Sequence, residues 1–142
     1  MEILQIATPA RSALVDITEA VQAVVDRLGV REGLCAVFVP HTTAGLTLNE
    51  NWDPDVQHDI LLTLNDLVRP DPRHRHSEGN SPAHIKAALM GNSLTLIISG
   101  GKLQLGAWQG VYLAEFDGPR RRQVWVKVMA DNMGSGEGRS GG

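Results

Sequence analysis

Four places along the chain carry polar groups for which the surrounding apolar pattern supplies no structural reason: His41 with Thr42 and Thr43, Asn49 with Glu50, His76 with Glu78, and His84. Imidazoles and carboxylates exchange protons near neutral pH, and functional groups of this kind gather where elements end. A lone histidine at a strand end is more often a hydrogen-bonded structural residue, so the weight lies in the set. His84 is its sharpest member, as the third residue of a helix that Ser81 would cap and Pro82 would begin. The positive end of that helix disfavours an imidazolium, and a neutral ring can bind a metal or accept a proton. The same helix start offers free amides to a phosphate or carboxylate. His76 can fold back beside it across the flexible Glu78-Gly79-Asn80 link. Three histidines without a cysteine partner suit an open zinc site that keeps water in its fourth position, although His41 must arrive from a different element. The chain has no glycine-rich phosphate loop, no G-x-S-x-G turn and no zinc-protease histidine pair.

The elements that must position these groups can be read from periodicity and punctuation. Glu2–Thr8 alternates as a strand that Pro9 ends. Asp16 can cap a helix with Glu19 at its third position, and Ala20, Val21, Val24, Val25 and Leu28 recur at helical spacing up to Gly29. The apolar, β-rich run Leu34–Val39 fits a central strand that delivers Pro40-His41-Thr42-Thr43 to its end. Ala44–Asn49 alternates as a further strand, with Leu46 and Leu48 on one face. Asp53-Pro54 starts a second helix with a stripe of Val56, Ile60, Leu64 and Leu67, which leaves His58 as a solvated residue off the stripe. Residues 69–80 carry two prolines and no core pattern and read as a loop. Ile85, Ala88 and Leu89 give the third helix, ended by Gly91. Leu94–Ile98, the glycine-punctuated stretch 99–120 and Val124–Met129 read as strand, turn, strand, turn, strand, the antiparallel centre of one sheet. Trp108-Gln109 lies within it, and on position alone Trp108 reads as a core or interface filler. The glycine- and serine-rich residues 134–142 read as a disordered tail.

These readings give one α+β domain over residues 1–130, with a tail over 131–142. At 142 residues the chain can bury a real core. A net charge of -3 argues against a general nucleic-acid footprint. The local basic clusters Arg120-Arg121-Arg122 and Arg69 to Arg75 are expected to meet a phosphate or an acidic neighbour. Cys35, the sole cysteine, lies in an apolar run and reads as a buried, inert thiol in a reducing compartment. No apolar stretch approaches the ~20 residues that span a bilayer, and Met1–Ala10 lacks a signal-peptide pattern. A cytoplasmic protein without membrane or nucleic-acid partners is expected.

The motifs His41-Thr42-Thr43-Ala44-Gly45-Leu46-Thr47-Leu48-Asn49-Glu50-Asn51, Arg75-His76-Ser77-Glu78-Gly79, Pro82-Ala83-His84-Ile85-Lys86, Gly106-Ala107-Trp108-Gln109-Gly110 and Glu115-Phe116-Asp117-Gly118-Pro119-Arg120 occur in that order. Together they resemble the YjbQ family from about Glu2 to Ala130. The resemblance implies a single α+β domain of mostly antiparallel, β-sandwich-like sheets with about three helices, assembled as a homotrimer. It also implies a secondary thiamine-phosphate synthase. Carried over residue by residue, it implies Glu50, His41 and His84 as catalytic groups and Asn49, Trp108, Gln109 and Arg120 as substrate contacts. A divalent metal, zinc or magnesium, would sit at His41, His76 and His84. This chain has His74 where many relatives have a tyrosine ahead of the Arg-His pair, which implies either a missing hydroxyl contact or an available fourth imidazole.

The implied reaction joins a pyrimidine diphosphate to a thiazole phosphate and releases pyrophosphate. Dedicated enzymes for it use a TIM barrel of roughly 250 residues, which this chain cannot form. It would therefore be the same chemistry on an unrelated scaffold, or a side activity of a pocket shaped for another phosphorylated substrate. Two alternatives stay open: a metal-dependent hydrolase of small phosphorylated metabolites, and a non-catalytic trimer that grips a metabolite with Trp108 and Gln109.

Overall fold

The computed structural model describes residues 1–132, and the expected tail from residue 133 onward lies outside the described residues. The elements run β1 (Glu2–Ala7), β2 (Ala13–Asp16), α1 (Thr18–Leu28), β3 (Gly33–Phe38), β4 (Ala44–Glu50), α2 (Pro54–Leu67), α3 (Ser81–Met90), β5 (Ser93–Ser99), β6 (Lys102–Leu103), β7 (Gln109–Glu115) and β8 (Arg121–Ala130). A five-stranded sheet has the order β1-β8-β3-β5-β6, a three-stranded sheet the order β2-β7-β4, and every pairing is antiparallel. Val37, Leu96, Ile98, Val124 and Val126 of the larger sheet meet Leu46, Val111 and Leu113 of the smaller one in a single core. α1 adds Val21, Val24 and Val25 to it, and Gly29 ends that helix at φ 68°, a left-handed conformation open to glycine. α2 and α3 cover the outer face of the small sheet, where Leu61, Leu64, Ala83 and Ala87 pack with Ala114 and Phe116. The α+β, sandwich-like, three-helix expectation therefore holds.

The expected antiparallel centre of one sheet does not. β5 and β8 belong to the larger sheet, while β7 between them crosses over to become the middle strand of the smaller one. Val111 and Leu113 of β7 point into the core, and Ala114 faces the helices, so Gly110 to Glu115 is buried throughout. Such a strand needs cover on both faces. The short strand β2, which the sequence reading did not contain, pairs with β7 from Ala13↔Glu115 to Asp16↔Tyr112.

Helix starts divide the same way. Asp53 accepts from the Asp55 amide at 2.9 Å, as expected of a cap. Asp16 holds the entry to α1 from further out, accepting from the Thr18 amide and hydroxyl, and the helix itself begins at Thr18. Ser81 is not a cap but the first helical residue of α3, and Asn80 precedes the helix, its carbonyl accepting from the Ala83 amide at 3.0 Å. The Asn80 side-chain amide is already committed to Asp117, at 2.8 Å. The expected stripe of α2 also shifts: Leu61 packs inward with Leu64, and Leu67 is exposed. His58 is solvent-facing, as expected, beside Asp59.

Candidate active site

Loop 40–43 lies between the sheets because a buried ion pair holds it there. Glu115 at the end of β7 and Arg122 at the start of β8 are 0% and 3% exposed. Arg122 Nε donates to Glu115 Oε1 at 2.8 Å, and its Nη2 donates to the second carboxylate oxygen and to Thr43 Oγ1 at 2.8 Å. The Thr8 hydroxyl and the Asp117 amide also donate to Glu115, at 2.7 and 2.9 Å. Burial alone would raise the Glu115 carboxyl, but the hydrogen bonds from Arg122, Asp117 and Thr8 outweigh it and hold the group below the usual carboxylate range.

Next to this pair, His41 Nε2 accepts from the Gln123 amide at 2.9 Å. A ring nitrogen that accepts cannot carry the proton, which therefore sits on Nδ1. Burial and then the Arg122 charge push His41 below its ordinary value, so the ring is neutral near pH 7. His41 lines an open cleft of about 520 Å³ together with Thr42, Ala44, His84 and Asn92. Beside this cleft the end of α3 runs close to β4: a Cβ on Gly45 would lie 2.6 Å from the Gly91 carbonyl. His76 packs edge-on against His84, with ring centroids 5.1 Å apart. His74 and His76 line a neighbouring pocket of about 230 Å³ with Ser81. Arg120 closes the same end of the molecule, with Nη2 3.1 Å from Asp117 Oδ2. Four arginines of the basic clusters thus meet acidic neighbours: Arg120 on Asp117, Arg122 on Glu115, Arg69 on Asp66 and Arg73 on Asp71.

The other predicted residues are elsewhere. Asn49 and Glu50 end β4, opposite Gly110 and Gln109, whereas the histidine cleft adjoins Ala44 and Glu115 at the other end of the same ladder. Seven residues at a rise of about 3.3 Å put roughly 20 Å between the two ends. At the far end Trp108 is 57% exposed and packs edge-on against Trp52, which is 76% exposed, at 5.8 Å between centroids. Trp108 is therefore not a core filler. The Gln109 side chain turns back to accept from the Gly106 amide, and Asn49 Oδ1 accepts from the Glu50 amide. Tyr112 and Gln57, to which the sequence reading gave no role at the site, donate to the Glu50 carbonyl and fix that corner.

The structure brings His41 and His84 onto one cleft and His76 against His84, and it separates all three from Glu50. His41 Nε2 is occupied by a backbone amide, and among the described residues no three His, Cys, Asp or Glu side chains converge to hold a metal ion. His76 and His84 alone fall short of the three protein ligands of an open zinc site, and imidazoles are poor partners for magnesium. Cys35, at 0% exposure, is pushed up to about 11 by burial and is inert, as expected. Among the described residues no helix is long and apolar enough to cross a membrane.

Comparison with known proteins agrees with this architecture. Residues 2–131 match the family described as UPF0047 protein YjbQ-like. The UPF0047 protein MJ1081 of Methanocaldococcus jannaschii is 50% identical over 127 residues, 89% of this chain and 92% of the relative. YugU of Bacillus subtilis is 43% identical over 91% of this chain and 98% of its own. A crystal structure of a YjbQ/UPF0047 family protein from Clostridium acetobutylicum superposes with a TM-score of 0.88 at 50% identity, covering 91% of this chain and all (100%) of that one. The conserved hypothetical protein TT1486 of Thermus thermophilus superposes with a TM-score of 0.85 at 46% identity, with the same coverage. With its motifs, its two-sheet topology and near full-length matches in agreement, the chain belongs to the YjbQ/UPF0047 family.

Proposed function

We propose that this chain is an enzyme acting on phosphorylated small molecules, with a site completed between copies of a homotrimer. His41, His76, His84 and Arg120 of one copy take the phosphate end of the substrate. Asn49, Glu50, Trp108 and Gln109 of a second copy close over its organic end. The observation that carries this reading is the separation of the two clusters at opposite ends of the β4–β7 ladder, so that only a second copy can complete the set. The exposed Trp52–Trp108 pair suits a flat heteroaromatic ring. The neutral His41, with its proton on Nδ1, and the Arg120 guanidinium suit a phosphate oxygen.

In the thiamine-phosphate form of the reaction, the thiazole nitrogen bonds the methylene carbon of the pyrimidine as that carbon's bond to pyrophosphate oxygen breaks. The pyrophosphate leaves with the electron pair, and N–H donors and a guanidinium stabilise the departing charge. Rescue of a strain lacking thiamine-phosphate synthase, with product formed by purified protein, supports this form. Absence of product with and without added divalent ions removes it. Hydrolysis of a phosphate ester is a second reading, favoured by the open histidine cleft, and release of phosphate from an ester panel distinguishes it.

Replacing His84 by alanine is expected to abolish product formation while changing stability by less than about 1 kcal/mol, because the half-buried ring carries little core packing. Turnover per folded molecule and melting temperature on that variant check it, and unchanged turnover takes His84 out of the site.

The trimer has its own physical motive. Ile3, Leu34, Phe38, Ile97 and Met129 are exposed together on the outer face of the larger sheet, where Leu34 pairs with both Ile97 and Met129. Trp125 packs against Phe38, with ring centroids 5.6 Å apart and planes tilted by 38°, and is opposite Ile3. An apolar face of this kind calls for a partner. Ile97→Arg is expected to reduce the light-scattering mass from three chains to one chain of 15.4 kDa. A single-chain mass for the unaltered protein removes the trimer.

A further inference from the structure

Two residues after His84, and about 200° further around the helix, Lys86 turns to the other flank of α3. There it lines a separate cavity of about 540 Å³ between α2, α3 and loop 69–80. Nothing in the proposed reaction uses this space. Lys86 is 7% exposed, and its Nζ donates to Asn65 Oδ1. An ammonium carries three N–H donors and a full charge, and an amide oxygen neutralises none of that charge. The other polar residues lining the cavity are Arg11, Ser12, Asn65 and Asn80, so no carboxylate lines it. A buried cation without a counter-charge is costly, and an anion in the cavity would relieve that cost.

A second observation narrows the anion. Asn80 Nδ2 donates to Asp117 Oδ2, which fixes the orientation of the amide and turns Oδ1 the other way. Among the described residues, Asn80 Oδ1 is a buried side-chain acceptor that receives no hydrogen bond. A ligand suited to this cavity therefore brings an acceptor for Lys86 and a donor for Asn80. The remaining walls, Val68, Pro82 and Phe116 among them, are apolar. The one other cation, Arg11, is already paired with Asp117 at 3.3 Å. One buried positive charge with apolar walls matches a monoanion on a small carbon frame better than a phosphate dianion.

We propose that this cavity is a binding site for a small α-hydroxy carboxylate. Its carboxylate pairs with Lys86, its hydroxyl donates to Asn80 Oδ1, and its carbon frame packs on Val68, Pro82 and Phe116. The proposal is independent of the histidine cleft and stands whether or not the reaction assigned there is correct.

Calorimetric titration of the full chain with glycolate, acetate and inorganic phosphate tests it. Glycolate is expected to bind once per chain and about tenfold more tightly than acetate, which lacks the hydroxyl donor. Lys86→Met should weaken glycolate binding by at least about tenfold. Asn80→Ala should bring glycolate down to the affinity of acetate, and this arm needs no change at the buried lysine if Lys86→Met fails to fold. Equal affinities for glycolate and acetate, tighter binding of phosphate, no saturable heat, or unchanged binding in a folded Lys86→Met protein each overturn the assignment.

Discussion

Replacing Arg122 by methionine lowers the unfolding free energy by about 3–5 kcal/mol, because it strands the Glu115 carboxylate in the core without its counter-charge. The pair is almost inaccessible to water and ties the two sheets together, β7 in one and β8 in the other. Methionine at both positions costs less than either single change, since no charge is then left unpaired. Chemical denaturation of the two single variants and the double variant measures this, and a double variant as unstable as the sum of the singles contradicts it. The same replacement releases Thr43, whose hydroxyl and carbonyl accept from Arg122, and so loosens the loop that carries His41.

The pH dependence has a definite sign. Glu115 is held below its unfolded value of 4.5, so the stability it contributes is present above that pH and is lost as pH falls through the lower folded value. His41 is likewise held below its unfolded value of 6.5. The unfolded chain takes up that proton first, and stability begins to fall as pH drops below about 6.5. Both groups make the fold labile toward acid. His41→Gln should flatten the upper limb of the melting-temperature profile and leave the lower limb in place.

α1 and β3 were legible in the sequence because each carries its own period: valines at helical spacing closed by Gly29, and an apolar run too short for a helix. β7 was legible as a strand but not as a member of the second sheet. Its two buried faces erase the alternation, and its partners, β2 and β4, are distant in sequence. The run of three arginines could be read as meeting a phosphate or an acidic neighbour, but only the pairing of β8 shows that its middle member, Arg122, points inward to a buried carboxylate. The site divides in the same way. The chemistry of His41, His84 and Glu50 could be read from residue types, but their grouping depends on the antiparallel register of β4 with β7. That register sends Ala44 and Glu50 to opposite ends of one ladder. Ser81 was misplaced as a cap because a serine before a proline has the cap signature, while Asn80 precedes α3 without a side-chain cap.

The composite site predicts complementation between two dead proteins. His84→Ala and Glu50→Ala remove opposite ends of the substrate site, so each alone is expected to be inactive. In a mixed trimer, a Glu50→Ala copy supplies an intact histidine cleft, and a neighbouring His84→Ala copy supplies an intact Glu50 corner. Random assembly of equal amounts gives an intact pairing at about one interface in four for a cyclic trimer. Product formation should therefore return to about a quarter of the unaltered rate after the two proteins are unfolded and refolded together. It should stay at background when they are mixed without unfolding. Activity that remains at background after co-refolding into trimers, or a Glu50→Ala protein that is fully active by itself, contradicts a site shared between copies.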